Sequence, residues 1–242
     1  GEDVIDIIVQ QPACHIFIAR HLYNFFVADE PQVPAWPIDS PVDPASVTLL
    51  TELLVESGLE IKPVLRALFN SDFFKDSMYQ KVKNPAEVVA GTLVLTGDMN
   101  GPAPRWGSIG LEPSYMGQAL LDPPSVEGWH TGKEWINSGA LMQRVNFVAN
   151  QVKNIDLPGV HDIIKRIASS NGTEMSAETL VAHCLDLMGP VKVSVQTRSE
   201  LVDHIRSGGA IRWDTEDGRE NASNRAGELL ALVASTREFQ FG

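Results

Sequence analysis

The sequence predicts an all-α protein, an irregular multi-helix array with long Pro/Gly-rich loops and little or no β structure. Three observations carry this. Apolar residues recur at helical spacing through most of the chain. Start and stop signals bracket those runs, with Asp, Asn or Ser before them and Gly after them. Strand-like alternation is nearly confined to Val191-Lys-Val-Ser-Val195, which reads equally well as an extended linker after Pro190.

Asp3 to Gln10 reads as a short helix with apolar Val4, Ile5, Ile7 and Ile8. Pro12 opens a second helix as its first residue. The apolar stripe of that helix, from Ala13 and Ile16 to Tyr23 and Phe26, is broad enough to predict burial on most sides. Residues 29–44 hold five prolines and Trp36, so they form an extended connection. Asp43-Pro44 caps and starts the next helix, which stops at Gly58. Another helix carries Ile61, Val64, Leu65 and Leu68, and a short one begins at Phe73 and Phe74. Asn84-Pro-Ala-Glu87 is a capping box with proline in first position, and its helix runs to Gly97. Residues 98–110 form a long Gly/Pro-rich loop. A short helix is predicted over Pro113 to Leu121. After a second loop, Asn137-Ser138 caps a long helix. Further helices are predicted over Val160 to Ala168, Ser176 to Met188, Arg198 to Arg206 (with Thr197-x-x-Glu200 as a capping box) and Asn221 to Ser235. The acidic stretch from Asp214 to Gly218 reads as a solvated turn. The whole is expected to be a single helical domain, 1–242. A composition shift near 154–159 suggests a subdivision into a core, 1–154, and a C-terminal helical cap, 155–242.

With 242 residues, 43% of them hydrophobic, the chain can bury a substantial core. The net charge of −12 disfavours nucleic acid and anionic membranes as partners. No run approaches the ~20 apolar residues of a membrane span. Helical pattern starts at Glu2 with no signal segment ahead of it, so the chain is expected to be a fragment of a longer one. Cys14 and Cys184 each sit in apolar helical patterns and are expected to be buried free thiols.

The loop from Leu121 to Trp135 stands out. Pro123 and Pro124 stiffen it, Gly128 and Gly132 allow unusual backbone angles, and Trp129 and Trp135 add large rigid surface. His130 and Glu127 are the candidate acid/base or ligand pair. The competing reading is that the Trp rings plug the loop onto the helices while its charges face water. No metal site is predicted. Cys14 and His21 share a helix face but stand roughly 10.5 Å apart along it, too far for one ion. Neither a nucleophile elbow nor a phosphate-cradling Gly-rich loop is present, and no cofactor is implied. Arg20, in an apolar helix, would need a carboxylate partner if buried, and Asp6 or Glu87 could serve. Arg20, Lys83 and Arg144 are therefore read together: structural ion pairs are expected, with anion binding as the alternative.

Several motifs then align with one family. Ile5-Asp-Ile-Ile-x-x-Gln-Pro-Ala13 leads into Phe17-Ile-Ala-Arg-His-Leu-Tyr-x-Phe-Phe-Val27. Lys62-Pro-Val-Leu-Arg-Ala-Leu-Phe-Asn-Ser71 and Val82-Lys-Asn-Pro-x-Glu87 follow. Gly117-Gln-x-Leu-Leu-x-Pro-Pro-x-Val-x-Gly-Trp129, Trp135-Ile-Asn-Ser138, Arg144-Val-Asn-Phe147 and Glu228-Leu-Leu-x-Leu-Val-x-Ser-x-x-Glu-Phe-Gln240 complete the order. Together they resemble the C-terminal half of the bacterial family catalogued as domain of unknown function 1800. The resemblance implies export to the periplasm or cell exterior and an exported sulfatase-like partner protein. It brings no established catalytic residues. Trp129, Trp135, Arg20, Arg144 and Asn146 are the binding candidates. The expected role is an interaction or scaffold module acting with an exported partner. The alternative is a hydrolase or carbohydrate-binding component with a cleft at 121–137, whose Trp rings would have to be open to solvent.

Overall fold

Side-chain caps start most of the longer helices in the computed structural model, which describes residues 1–99, 106–126, 128–129, 131–169, 172–189 and 191–241, with Trp106 by its backbone alone. The protein is mostly helical, and among the described residues its one β-sheet is an antiparallel ladder pairing β1 (Glu174–Met175) with β2 (Ile211–Arg212). Two compact units divide the chain. One is Gly1–Val82 together with Thr131 and Gly132; the other is Lys83–Trp129 with Lys133–Phe241. The division thus falls at Val82, and residues on both sides of 154 belong to the second unit.

The first unit contains α1 (Glu2–Val9), α2 (Pro12–Phe26), α3 (Pro44–Glu56), α4 (Ile61–Asn70) and α5 (Asp72–Asp76). Asp43 caps α3 by accepting from the Ser46 amide at 3.1 Å, and Pro44 takes the first position, where its missing N–H costs nothing. Gly58, at φ +65°, ends that helix in the left-handed region glycine tolerates. The core is Ala19, Tyr23, Val47, Leu50, Leu54, Val64 and Leu68 with their neighbours. Fully burying each such leucine contributes about 1.5–3 kcal/mol. The expectation that α2 is buried on most sides fails. It packs mainly on α3, leaving Ile16, Phe17 and Phe25 at 49%, 48% and 71% exposure.

The second unit holds α6 (Pro85–Thr96), α7 (Trp106–Ile109), α8 (Glu112–Tyr115), α9 (Ser138–Lys153), α10 (Pro158–Ser169), α11 (Ala177–Leu187), α12 (Val195–Ser207) and α13 (Glu216–Ala234). Both halves of the α6 capping box form: the Glu87 amide donates to Asn84 Oδ1 at 2.9 Å, and the Asn84 amide to Glu87 Oε2 at 2.7 Å. α8 stops at Tyr115, short of the predicted Leu121, and Gly117 then takes φ +97°. α12 starts three residues early because Ser194, not Thr197, is the cap. α13 also starts early: Thr215 caps it, and the supposed acidic turn supplies Glu216 and Asp217 to its first turn, where the helix dipole favours acids. The core joins α9 to α13 and α6 to α9. At Gly159 a Cβ would lie 2.1 Å from the Leu95 carbonyl oxygen, so only glycine allows α10 so near α6. Among the described residues no helix is long and apolar enough to cross a membrane.

Candidate functional site

Arg20 is 3% exposed and sits on the buried side of α2. Its carboxylate partner is Glu30, not Asp6 or Glu87: Nε donates to Glu30 Oε2 at 2.8 Å, and Nη2 lies 2.7 Å from the same oxygen. Nη1 donates to the carbonyls of Asp39 at 2.9 Å and Trp36 at 3.3 Å. Glu30 Oε1 accepts the Val42 amide at 2.8 Å. One ion pair therefore ties α2 to the proline-rich connection, whose prolines cannot donate to any ladder. Trp36 closes over the guanidinium at 4.7 Å and packs against His21 and Phe17. Burial holds the His21 imidazole below its ordinary pKa of 6.5.

Beside this frame, α1 is turned inside out. Val4, Ile5, Ile7 and Ile8 fall within one arc of the helix, yet they are 58%, 60%, 62% and 52% exposed. Glu2, Asp3 and Asp6 occupy the opposite arc. None of the α1 residues is buried. An eight-residue helix is marginal alone in water, and this one leaves its apolar stripe in solvent.

In the second unit Arg144 is completely buried. Nε donates to Gln240 Oε1 at 3.0 Å, whereas Nη1 and Nη2 are buried without a hydrogen-bond partner among the described residues. Leaving such donors unmet costs about 1–3 kcal/mol, more for a charged group. Burial pushes the Arg144 pKa down to about 10, opposed by the attraction of Glu87. Lys83 is nearby; burial, then repulsion from Arg144, lowers its pKa too. Its Nζ lies 4.6 Å over the Phe239 ring and donates to the Phe239 carbonyl at 3.1 Å.

The 121–135 loop is divided between the units. Thr131 and Gly132 pack in the first: Gln32 donates to the Thr131 carbonyl at 3.0 Å, and a Cβ on Gly132 would sit 3.1 Å from Asp29. Gly128 and Gly132 take φ of +95° and +63°, as their residue type allows. Leu121 and Val126 point fully into solvent. Trp135 is 6% exposed, with no open face for stacking, and Trp129 is half-buried with its indole N–H unsatisfied among the described residues. Asn146 is exposed on α9. His130 and Glu127 lie outside the described residues. Both cysteines are free. Cys184 is buried, which pushes its thiol up to about 12, while Cys14 is only half-buried.

Sequence reading missed Glu30, because Arg20 reaches it across a connection whose path no periodicity predicts. It also missed Gln240 as the partner of Arg144, although both fall inside the quoted motifs. The family model described as "Protein of unknown function (DUF1800)" matches residues 1–241, and the chain belongs to that family. Comparisons with curated proteins and with solved structures found no match.

Proposed function

We propose that the protein is a non-catalytic interaction module that docks an exported partner protein through the apolar face of α1. The observation that carries this reading is the exposure of Val4, Ile5, Ile7 and Ile8 on one stripe, with acids on the other side. Helix-in-groove recognition uses such a stripe as its anchors. The acidic flank selects the chemistry of the groove: apolar at its floor and lined with Lys or Arg at its rim. The family resemblance makes an exported sulfatase-like protein the partner of choice. The carbohydrate reading is weaker, since it needs two open Trp faces and Trp135 is buried.

Titration calorimetry of the purified chain against the sulfatase-like protein tests this. The double variant Ile5→Asp/Ile8→Asp is expected to weaken binding about 100-fold, as loss of anchors at the centre of an interface does. Because α1 buries nothing in the free chain, the same variant should melt within a few degrees of the parent. Failure of the parent chain to bind, or equal binding by the variant, overturns the reading. So does sedimentation showing that the face closes on a second copy instead.

A further inference from the structure

Gly91 lies in the interior of α6, where glycine is less favourable than alanine. Its own fold does not require it. A Cβ built on Gly91 would meet nothing within 4 Å among the described residues, whereas at Gly159 the backbone of α6 excludes one. The space over Gly91 is open, and it belongs to a groove of about 350 Å³ in the second unit. Glu87, Gly91 and Leu95, four residues apart, all line that groove, so it follows one face of α6 for ~12 Å.

The groove is apolar along most of this length. Val88 and Leu95 of α6 face it, with Leu187 and Met188 from the end of α11 and Phe239. Thr92 also lines it, but its hydroxyl donates to the Val88 carbonyl at 2.7 Å. Charge enters at one end only, where α6 begins, from Lys83 and Glu87. Lys83 Nζ is held over the Phe239 ring and spends one of its three N–H groups on the Phe239 carbonyl. The other two meet no acceptor among the described residues. Glu87 is already engaged, accepting the Asn84 amide at 2.7 Å, and its charge is set against both Lys83 and the buried Arg144. Among these three groups one positive charge is in surplus.

We propose that this groove binds a small amphiphilic carboxylate, whose apolar tail lies along α6 over Gly91 and whose head accepts the unspent N–H groups of Lys83. A missing Cβ lets such a tail approach the helix backbone. About 350 Å³ falls within the ~300–1,000 Å³ of small-molecule sites and holds roughly ten groups of ~30 Å³, the size of octanoate. The groove lies in the unit that does not carry α1, so this site stands or falls independently of the docking reading.

Calorimetry and thermal melting of the whole chain with acetate, hexanoate, octanoate and 1-octanol test it. Octanoate is expected to bind one to one and to raise the melting temperature in a saturable way. Hexanoate should bind about tenfold more weakly, for the loss of two buried methylenes, and acetate should not bind measurably. 1-Octanol, which lacks the charge, should bind at least tenfold more weakly than octanoate. Gly91→Leu fills the groove from its helix wall. It should abolish octanoate binding while melting no lower than the parent without ligand, because leucine favours helix and the space is open. Lys83→Gln should bring octanoate down to the affinity of 1-octanol. The proposal is overturned if octanoate does not bind the parent saturably, if 1-octanol binds as tightly, or if Gly91→Leu keeps the parent affinity. Should Gly91→Leu fail to fold, unchanged octanoate affinity in Lys83→Gln overturns it.

Discussion

Arg20 and Arg144 are the same side chain in nearly the same state of burial, and the two units treat them differently. Arg20 has a carboxylate, two backbone carbonyls and a Trp face; among the described residues Arg144 has one amide oxygen. Burying a charge costs several kcal/mol unless its donors are met. In the first unit that cost is offset inside the fold, and the product is architecture: the proline-rich connection is tied down. In the second unit, among the described residues, only the Nε bond to Gln240 offsets it. The difference shows that burial alone does not say how an arginine is held; its acceptors do.

Breaking the complete site should hurt most. Glu30→Ala strands Arg20 and also frees the Val42 amide, and urea unfolding should record a loss of about 3–5 kcal/mol. A loss below ~1 kcal/mol would place Arg20 beside Arg144 and dissolve the contrast. Next in size, Gln240→Leu removes the one bond that orients Arg144. It should cost about 1–3 kcal/mol in the same measurement.

Each arginine also has a titratable neighbour, and these give smaller effects. The folded pKa of Lys83 lies below 10.5, so the unfolded chain holds a proton that the fold gives up. Stability should therefore rise with pH through the window that ends at 10.5, and Lys83→Gln should flatten that slope. His21 gives the smallest effect. Its folded pKa lies below 6.5, so the unfolded state gains protons first as pH falls. Stability is expected to drop as pH falls below 6.5, by under ~1 kcal/mol, and His21→Gln should remove the drop. A steeper profile in the variant would show that another group in the unit governs it.

Local signals were readable where a single candidate stood in place. Asp43, Asn84 and Asn137 are capping residues followed directly by their helices, and each caps in the structure. Where several candidates follow one another, local chemistry does not choose. Ser194 and Thr197 can both cap, and the earlier one does because the chain before it is extended. Thr215 outruns Asn221 in the same way. At the candidate sites, the importance of Arg20 and Arg144 was visible from a cation among apolar residues. Their partners were not, since Glu30 and Gln240 are chosen by the path of the chain.

The sequence by itself determined the helical class, the order of the helices and most of their starts, because periodicity and capping act within a few residues. It also determined that α1 has an apolar stripe. Whether that stripe is core or exposed was decided only by tertiary structure, which buries none of its residues. The same holds for the two arginines. Burial is a property of what packs around a residue, and the acceptor that meets a buried charge comes from wherever the fold brings one.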